Sequence, residues 1–309
     1  MRLAICIITF RRPAGLARLL DGLRAIERPE GAELFVVVVD NDPEESAAAV
    51  ADAARIASAW PLRYLQETRR GVSFARNAAL AAASDADFIA FVDDDEVPGT
   101  AWLVELVARQ RASEAAAVCG LTLPQFEPGA ASWLEAAFRL CYMQPRSDRP
   151  LTELATGNLL LDRRALERHG LRFDEALSLI GGEDTMLGRE LVERGLQIAW
   201  AERAVVHEFV PASRMRLAWL LGRWYRTGNI EAILAMRGRH GVSGRGRGLI
   251  GGLARIGLGG AALVLALPRL LTGARPPVLR RLYTVCRGLG MVASVFGRHR
   301  NEYRTIHGA

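Results

Sequence analysis

A chain of 309 residues, 50% hydrophobic and 24% charged, is long and apolar enough to bury a full core and fits one large domain with an appendage. All 40 basic residues are Arg and none is Lys, which excludes Schiff-base chemistry, a Walker A lysine and the strand lysine of protein kinases, since each needs a primary amine. The net charge of +6 hides two unlike parts: residues 1–206 carry 23 Arg against 31 Asp and Glu, a net of −8, whereas residues 207–309 carry 17 Arg against three Glu, a net of +14.

The N-terminal stretch MRLAICIITFRRP has only eight uncharged residues before Arg11 and no small-residue cleavage site, so it reads as a buried first strand. Cys6, Cys119, Cys141 and Cys286 are scattered, with no CxxC pair, which suggests neither a zinc site nor a disulfide framework and leads to the expectation of a reducing, cytosolic compartment. Up to about residue 207, short apolar runs alternate with helical patterns, the signature of βαβ units and a mostly parallel sheet flanked by helices. The predicted strands are Leu3 to Ile8, Leu34 to Val39, Leu62 to Leu65, Phe88 to Val92, Ala117 to Leu123, Ala155 to Leu161 and Ala204 to His207. Behind Pro13, Leu16, Leu19, Leu20 and Leu23 recur at helical spacing and predict a helix packed on that sheet.

Ligands of open parallel sheets bind outside the carboxyl ends of the strands. The first strand ends in TFRR, the second in DNDP and the fourth in DDDE, so three strands deliver polar groups to one rim. DNDP holds Asp40, Asn41 and Asp42: an Asx-type turn before Pro43 explains all three, and recognition of a uracil-like base edge is the other reading. In FVDDDE the crowded carboxylates either solvate a turn or share a hard cation. Mg²⁺ or Mn²⁺ prefers a few carboxylates plus substrate phosphate oxygens, which gives Asp95 as metal ligand and Asp93 as partner of a ribose hydroxyl. RRGVSFARNAAL sets Arg76 and Asn77 on a helix, either as ordinary surface residues or, for Arg76, as a phosphate partner. LIGGEDTMLGREL places Gly181 and Gly182 before Glu183 and Asp184, as a helix start with first-turn acids or as a carboxylate that takes a proton from an attacking hydroxyl.

IITFRRP, VVVVDND, RRGVSFARN, FVDDDE, ATGNLLLDRRAL and GGEDTMLGREL together, in this order and approximate spacing, resemble the bacterial glycosyltransferases of family 2. These enzymes have the Rossmann-like GT-A fold, and they include builders of exopolysaccharide and other surface glycans. The resemblance runs from about Arg2 to Asn229. It implies an inverting, metal-dependent transfer from a nucleotide-diphosphate sugar, with Thr9 and the Asp40 to Asp42 turn on the nucleotide. Arg76 would lie near the ribose or diphosphate, and Asp94 and Glu183 would border the donor. Asp93 and Asp95 would form the D-x-D pair with Asp95 on Mg²⁺ or Mn²⁺, Asp184 would be the general base, and Asn158 would lie by the sugar pocket. Asn41 stands where the family often has a second Asp. His207 stands where some GT-A enzymes offer a metal ligand, although an imidazole in VVHEF is also an ordinary structural residue.

Residues 1–212 are therefore expected to form a GT-A catalytic domain, and 213–309 a basic, apolar helical region. In SRMRLAWLLGRWYRTGN, Leu217, Leu220, Leu221 and Trp224 share one helical face, with Arg216, Arg223 and Arg226 opposite. Such a helix packs on a domain or lies in a membrane interface. Leu249 to Leu267 has the length of a membrane span, but Arg255 offsets most of the insertion energy of its nine Leu, Ile and Val, about −3 to −5 kcal/mol. A second segment, Leu282 to Phe296, is too short and contains Arg287. The expectation is two helices that lie in or dip into a leaflet around the TGARPP turn without crossing. That would put the enzyme at the cytoplasmic side of the inner membrane, on anionic lipid, with a glycan or polyprenyl-diphosphate-linked acceptor. GRGLIG, from Gly246, matches GxGxxG with no strand before it and reads as chance. The alternatives are a nucleotidyltransferase, for which TFRRPAGLARL lacks the Gly-rich loop and lysine, and a non-catalytic adaptor. Nucleic acid is not expected as a partner, because the Arg of the tail alternate with long apolar runs.

Overall fold

The computed structural model describes residues 1–57, 60–143, 145, 150–237, 241–270 and 275–300. Eight strands are β1 (Arg2–Thr9), β2 (Glu33–Asp40), β3 (Leu62–Gln66), β4 (Phe88–Asp93), β5 (Glu96–Pro98), β6 (Ala117–Gln125), β7 (Asn158–Asp162) and β8 (Ile198–Phe209). The helices are α1 (Pro13–Gly22), α2 (Ala48–Ala57), α3 (Val72–Ala82), α4 (Trp102–Ser113), α5 (Trp133–Phe138), α6 (Arg163–Arg168), α7 (Glu183–Glu193), α8 (Leu217–Arg237), α9 (Gly241–Ala266) and α10 (Arg275–Val295). Within the described residues the chain separates into two units: the first comprises Met1–Gln125 and Gln144–Phe209, the second Phe126–Met143 and 210–300.

In the first unit the strands form one sheet in the order β3-β2-β1-β4-β7-β6-β8-β5. The β1–β2, β1–β4, β2–β3 and β6–β8 pairs are parallel, while β7 runs antiparallel between β4 and β6 and β5 antiparallel to β8. Near-continuous apolar runs in β1 and β2 are buried along almost their whole length, as expected for strands covered on both faces. Leu16 and Leu19 of α1 are fully buried among Ile5, Ile7, Val36 and Val38, so the predicted helix packs as its spacing requires. Three elements differ from expectation, and one is β8, which starts at Ile198 rather than Ala204 because its first four residues pair with β6 from Ala117 to Gly120. β5 was not foreseen, because three residues after an acidic turn carry too short a pattern, and its pairing with β8 is what makes them a strand. β7 starts at Asn158 rather than Ala155, because Thr156 and Gly157 occupy the turn before it.

The second unit is helical. Leu134, Phe138, Val210, Leu220, Trp224, Leu279 and Cys286 make its core. Leu217 is exposed on α8 and Arg226 is buried, so the packed face is rotated from the one predicted from leucine spacing. α10 begins seven residues before the apolar segment read from sequence. The expected TGARPP turn lies partly outside the described residues.

Candidate functional site

Parallel pairing with matched register lines the strand ends up. Thr9 pairs with Asp40, Ile8 with Asp93 and Asp40 with Gln66, so β1 to β4 end on a common rim.

At one end of this rim, hydrogen bonds from the chain's own backbone hold the turn after β2. Asp40, fully buried, accepts from the amides of Asp42 and Ala47 at 3.0 and 2.8 Å and from the Tyr64 hydroxyl at 3.0 Å. Asn41 donates to the carbonyls of Glu67 and Arg69 and accepts from Gly71 N, all within 2.8 Å, which ties the rim to the approach of α3. Arg11 Nε meets both oxygens of Asp42. Although burial alone would raise it, the Asp42 carboxyl is held below its usual range by Ser46, the Glu44 amide and Arg11.

The acidic turn sits at the centre. Thr9 Oγ1 donates to Asp94 at 2.8 Å, and Arg12 Nη1 donates to Asp94 at 2.9 Å and Asp95 at 3.0 Å. Burial pushes the Asp94 carboxyl up to about 6, against the attraction of Arg12. Asp93 is raised by loss of hydration, opposed by Arg76 and reinforced by Asp95 and Asp184. Glu96, 4% exposed, accepts from Asp93 N at 3.1 Å and is raised well above the usual range by burial and then by Asp93 and Asp95. Arg12 and Glu96 were not assigned roles from sequence. The pair of Arg directly after β1 was a visible signal for the first, but nothing in EVP marked the second as buried.

The third part comes from α7. Gly181 and Gly182 both take left-handed φ, 85° and 89°, a conformation glycine adopts without strain, and Gly182 caps the helix. This delivers Glu183, 3% exposed, to the Arg76 guanidinium, which it meets in a very short ion pair; Arg76 Nη2 lies 3.5 Å from Asp93. Asp184, the next residue, is half-buried and accepts from Thr185 N at 2.6 Å. Asp184 lies close enough to act on the ionisation of Asp93, so β4, α3 and α7 share one charged neighbourhood. Asn77, read as a surface residue, exchanges two bonds with the Phe173 backbone and anchors α3.

Two further candidates lie on β7 and β8. Asn158 is 1% exposed, accepts from Trp102 Nε1 at 2.8 Å and donates to the carbonyls of Leu121 and Ala204, so its amide joins strands inside the sheet. His207 is exposed within β8, opposite Val97. Among the described residues no three His, Cys, Asp or Glu side chains are close enough to hold an ion alone. The charges of Asp95 and Asp184 both bear on the Asp93 carboxyl without the three closing into a cluster.

A Rossmann-like sheet with acids from separate segments gathered at its carboxyl rim is the architecture of GT-A glycosyltransferases. The model of the family described as "Glycosyltransferase like family 2" matches residues 2–227. The succinoglycan biosynthesis protein ExoM of Rhizobium meliloti (strain 1021) is 36% identical over 242 residues, 78% of each chain. The chain belongs to glycosyltransferase family 2. Among solved structures, the mannosyltransferase PcManGT from Pyrobaculum calidifontis, in complex with GDP-Man and Mn²⁺, superposes with a TM-score of 0.65 at 18% identity, covering 96% of this chain and 88% of that one. S. aureus TarS 1–349 in complex with UDP-GlcNAc gives 0.55 at 16% identity, covering 100% and 95%. These likenesses establish the GT-A fold.

Proposed function

We propose that this glycosyltransferase moves a sugar from a uridine diphosphate donor to a growing surface polysaccharide or its polyprenyl-diphosphate-linked precursor, with inversion, at the cytoplasmic side of the inner membrane. The observation that carries the reading is Arg76 held between Asp93 on β4 and Glu183 on α7, with Asp184 next in the chain after Glu183, which draws the residues read as donor-side and acceptor-side together. The part of ExoM in succinoglycan biosynthesis supports the acceptor class, and the sugar nucleotides bound to PcManGT and TarS support the donor class.

The turn after β2 is rigidly shaped by its own backbone bonds, so it would present the base with a fixed edge, the Asp42 carboxylate remaining ionised. Mg²⁺ or Mn²⁺, held by Asp95 with Asp93, would supply a Lewis acid for the departing diphosphate. Arg76 offers that diphosphate a second cation, and Glu183 fixes its guanidinium. Asp184 removes the proton of the acceptor hydroxyl; the new bond forms at the anomeric carbon on the face opposite the breaking bond to diphosphate, which inverts the centre. Asn158 acts from beneath the rim by holding Trp102 and β6, not by touching sugar.

The test is a panel of nucleotide sugars with Mn²⁺, read as release of nucleoside diphosphate. One donor should be turned over, with Asp95→Ala and Asp184→Asn each reducing kcat by at least about a hundredfold. The reading fails if no donor is turned over and no nucleoside diphosphate with Mn²⁺ raises the melting temperature.

A further inference from the structure

The second unit carries a feature that sugar transfer does not use. On α9, Ile250, Leu253, Leu258, Val264 and Leu265 are 55–78% exposed, and Ala261 between them is exposed too. Their spacing follows the helix repeat, so they form one unbroken apolar stripe with no polar side chain in it. The opposite face packs on α10 so closely that a Cβ on Gly288 would meet the Gly252 carbonyl oxygen at 2.7 Å.

Charge frames the stripe. Exposed Arg245 and Arg247 stand before it and exposed Arg269 after it. From residue 232 to residue 300 the sequence has twelve Arg and no Asp or Glu. Arg255, which offsets most of this segment's insertion energy when read from sequence, turns away from the stripe. Its guanidinium reaches Glu231 of α8 at 3.4 Å and Met291 Sδ of α10 at 3.2 Å. Glu231 pairs at the same time with Arg287, so the only acid between Val210 and residue 300 neutralises the arginine that would otherwise spoil the apolar face.

We propose that the α9 stripe seats this unit in the outer few ångströms of an anionic phospholipid leaflet, with α9 in the membrane plane and the flanking arginines on lipid headgroups. α9 is long and apolar enough to span a bilayer by length and composition. Crossing, however, would take α10 along: Gly259 packs against Thr284 and Val285, and the exposed Arg280 and Arg281 one turn further would enter hydrocarbon. A second copy of this chain is disfavoured as occupant, since two such surfaces would face each other with arginine on both sides and no acid to meet it.

Full-length protein is floated with sealed vesicles of phosphatidylcholine alone or with one-quarter phosphatidylglycerol. The expected result is at least roughly tenfold tighter binding to the anionic vesicles, weakened by salt and by Arg245→Gln with Arg247→Gln. Leu253→Asp, Leu258→Asp and Leu265→Asp together should weaken binding by at least about a hundredfold without changing the circular dichroism melt, since all three sites are exposed. In a Cys141→Ala background, Gly246→Cys and Pro268→Cys should both react with an impermeant maleimide added outside. Equal binding to neutral vesicles, undiminished binding by the triple variant, labelling at one end only, or a dimer that the triple variant dissociates would each overturn the proposal. The readouts do not involve sugar transfer, so they stand or fall separately from it.

Discussion

Replacing Arg76 with Met would leave Glu183 as a buried carboxylate without its guanidinium, a change that costs about 3–5 kcal/mol because the charge cannot be rehydrated in place. Urea titration should show that loss for Arg76→Met and recovery of most of it when Glu183→Leu is added, since then neither charge is buried. Asp94 gives a pH signature. Its folded pKa of about 6 lies above the ordinary value of 3.8, so between pH 4 and 6 the folded protein binds more protons than the unfolded chain and stability declines as pH rises. The difference in stability between wild type and Asp94→Asn should therefore shift by about 3 kcal/mol against the wild type across that window. Asp93 and Glu96, raised in the same sense, are present in both proteins and largely cancel from the difference. At this scale the sequence showed which residues are charged and where strands end. It did not show which charges are already matched: Arg12 on Asp94 and Asp95 is a contact between a helix start and a turn 82 residues away, with no local pattern to announce it.

Among the elements, β1, β2 and β4 were legible because apolar runs followed by polar clusters can hardly be anything but buried strands ending at a rim. β5 was not, since its identity depends on β8 arriving beside it. The face of α8 read from leucine spacing includes Leu220 and Trp224, which are fully buried, but it also takes in exposed Leu217 and leaves buried Arg226 on the opposite side. Asn41 is the element-level joint of the site, three bonds from one amide that fasten the end of β2 to the loop leading into α3. Asn41→Ala should cost about 2–4 kcal/mol and speed hydrogen exchange at the Gly71 amide, while amides in β1 and α1 stay protected. Uniform faster exchange would mean that the joint has no local role.

For the molecule as a whole, the break in charge near residue 207 marked a real change of architecture, from an acidic α/β unit to a basic helical one. Charge statistics could not assign Phe126–Met143, a stretch of net charge −1 whose Leu134 and Phe138 complete the second core. They also left the apolar helix only marginally suited to lipid on account of Arg255, because pairing with Glu231 is a tertiary fact.

The Arg76–Glu183 ion pair joins residues 107 positions apart. A ribosome must therefore have released α7 before the guanidinium on α3 has its counter-ion, and β8 must follow before the acidic turn gains its neighbouring strand. Half-made chains thus carry Arg76 without its counter-ion and the acidic turn without its strand, so the rim is complete only once β8 has left the ribosome.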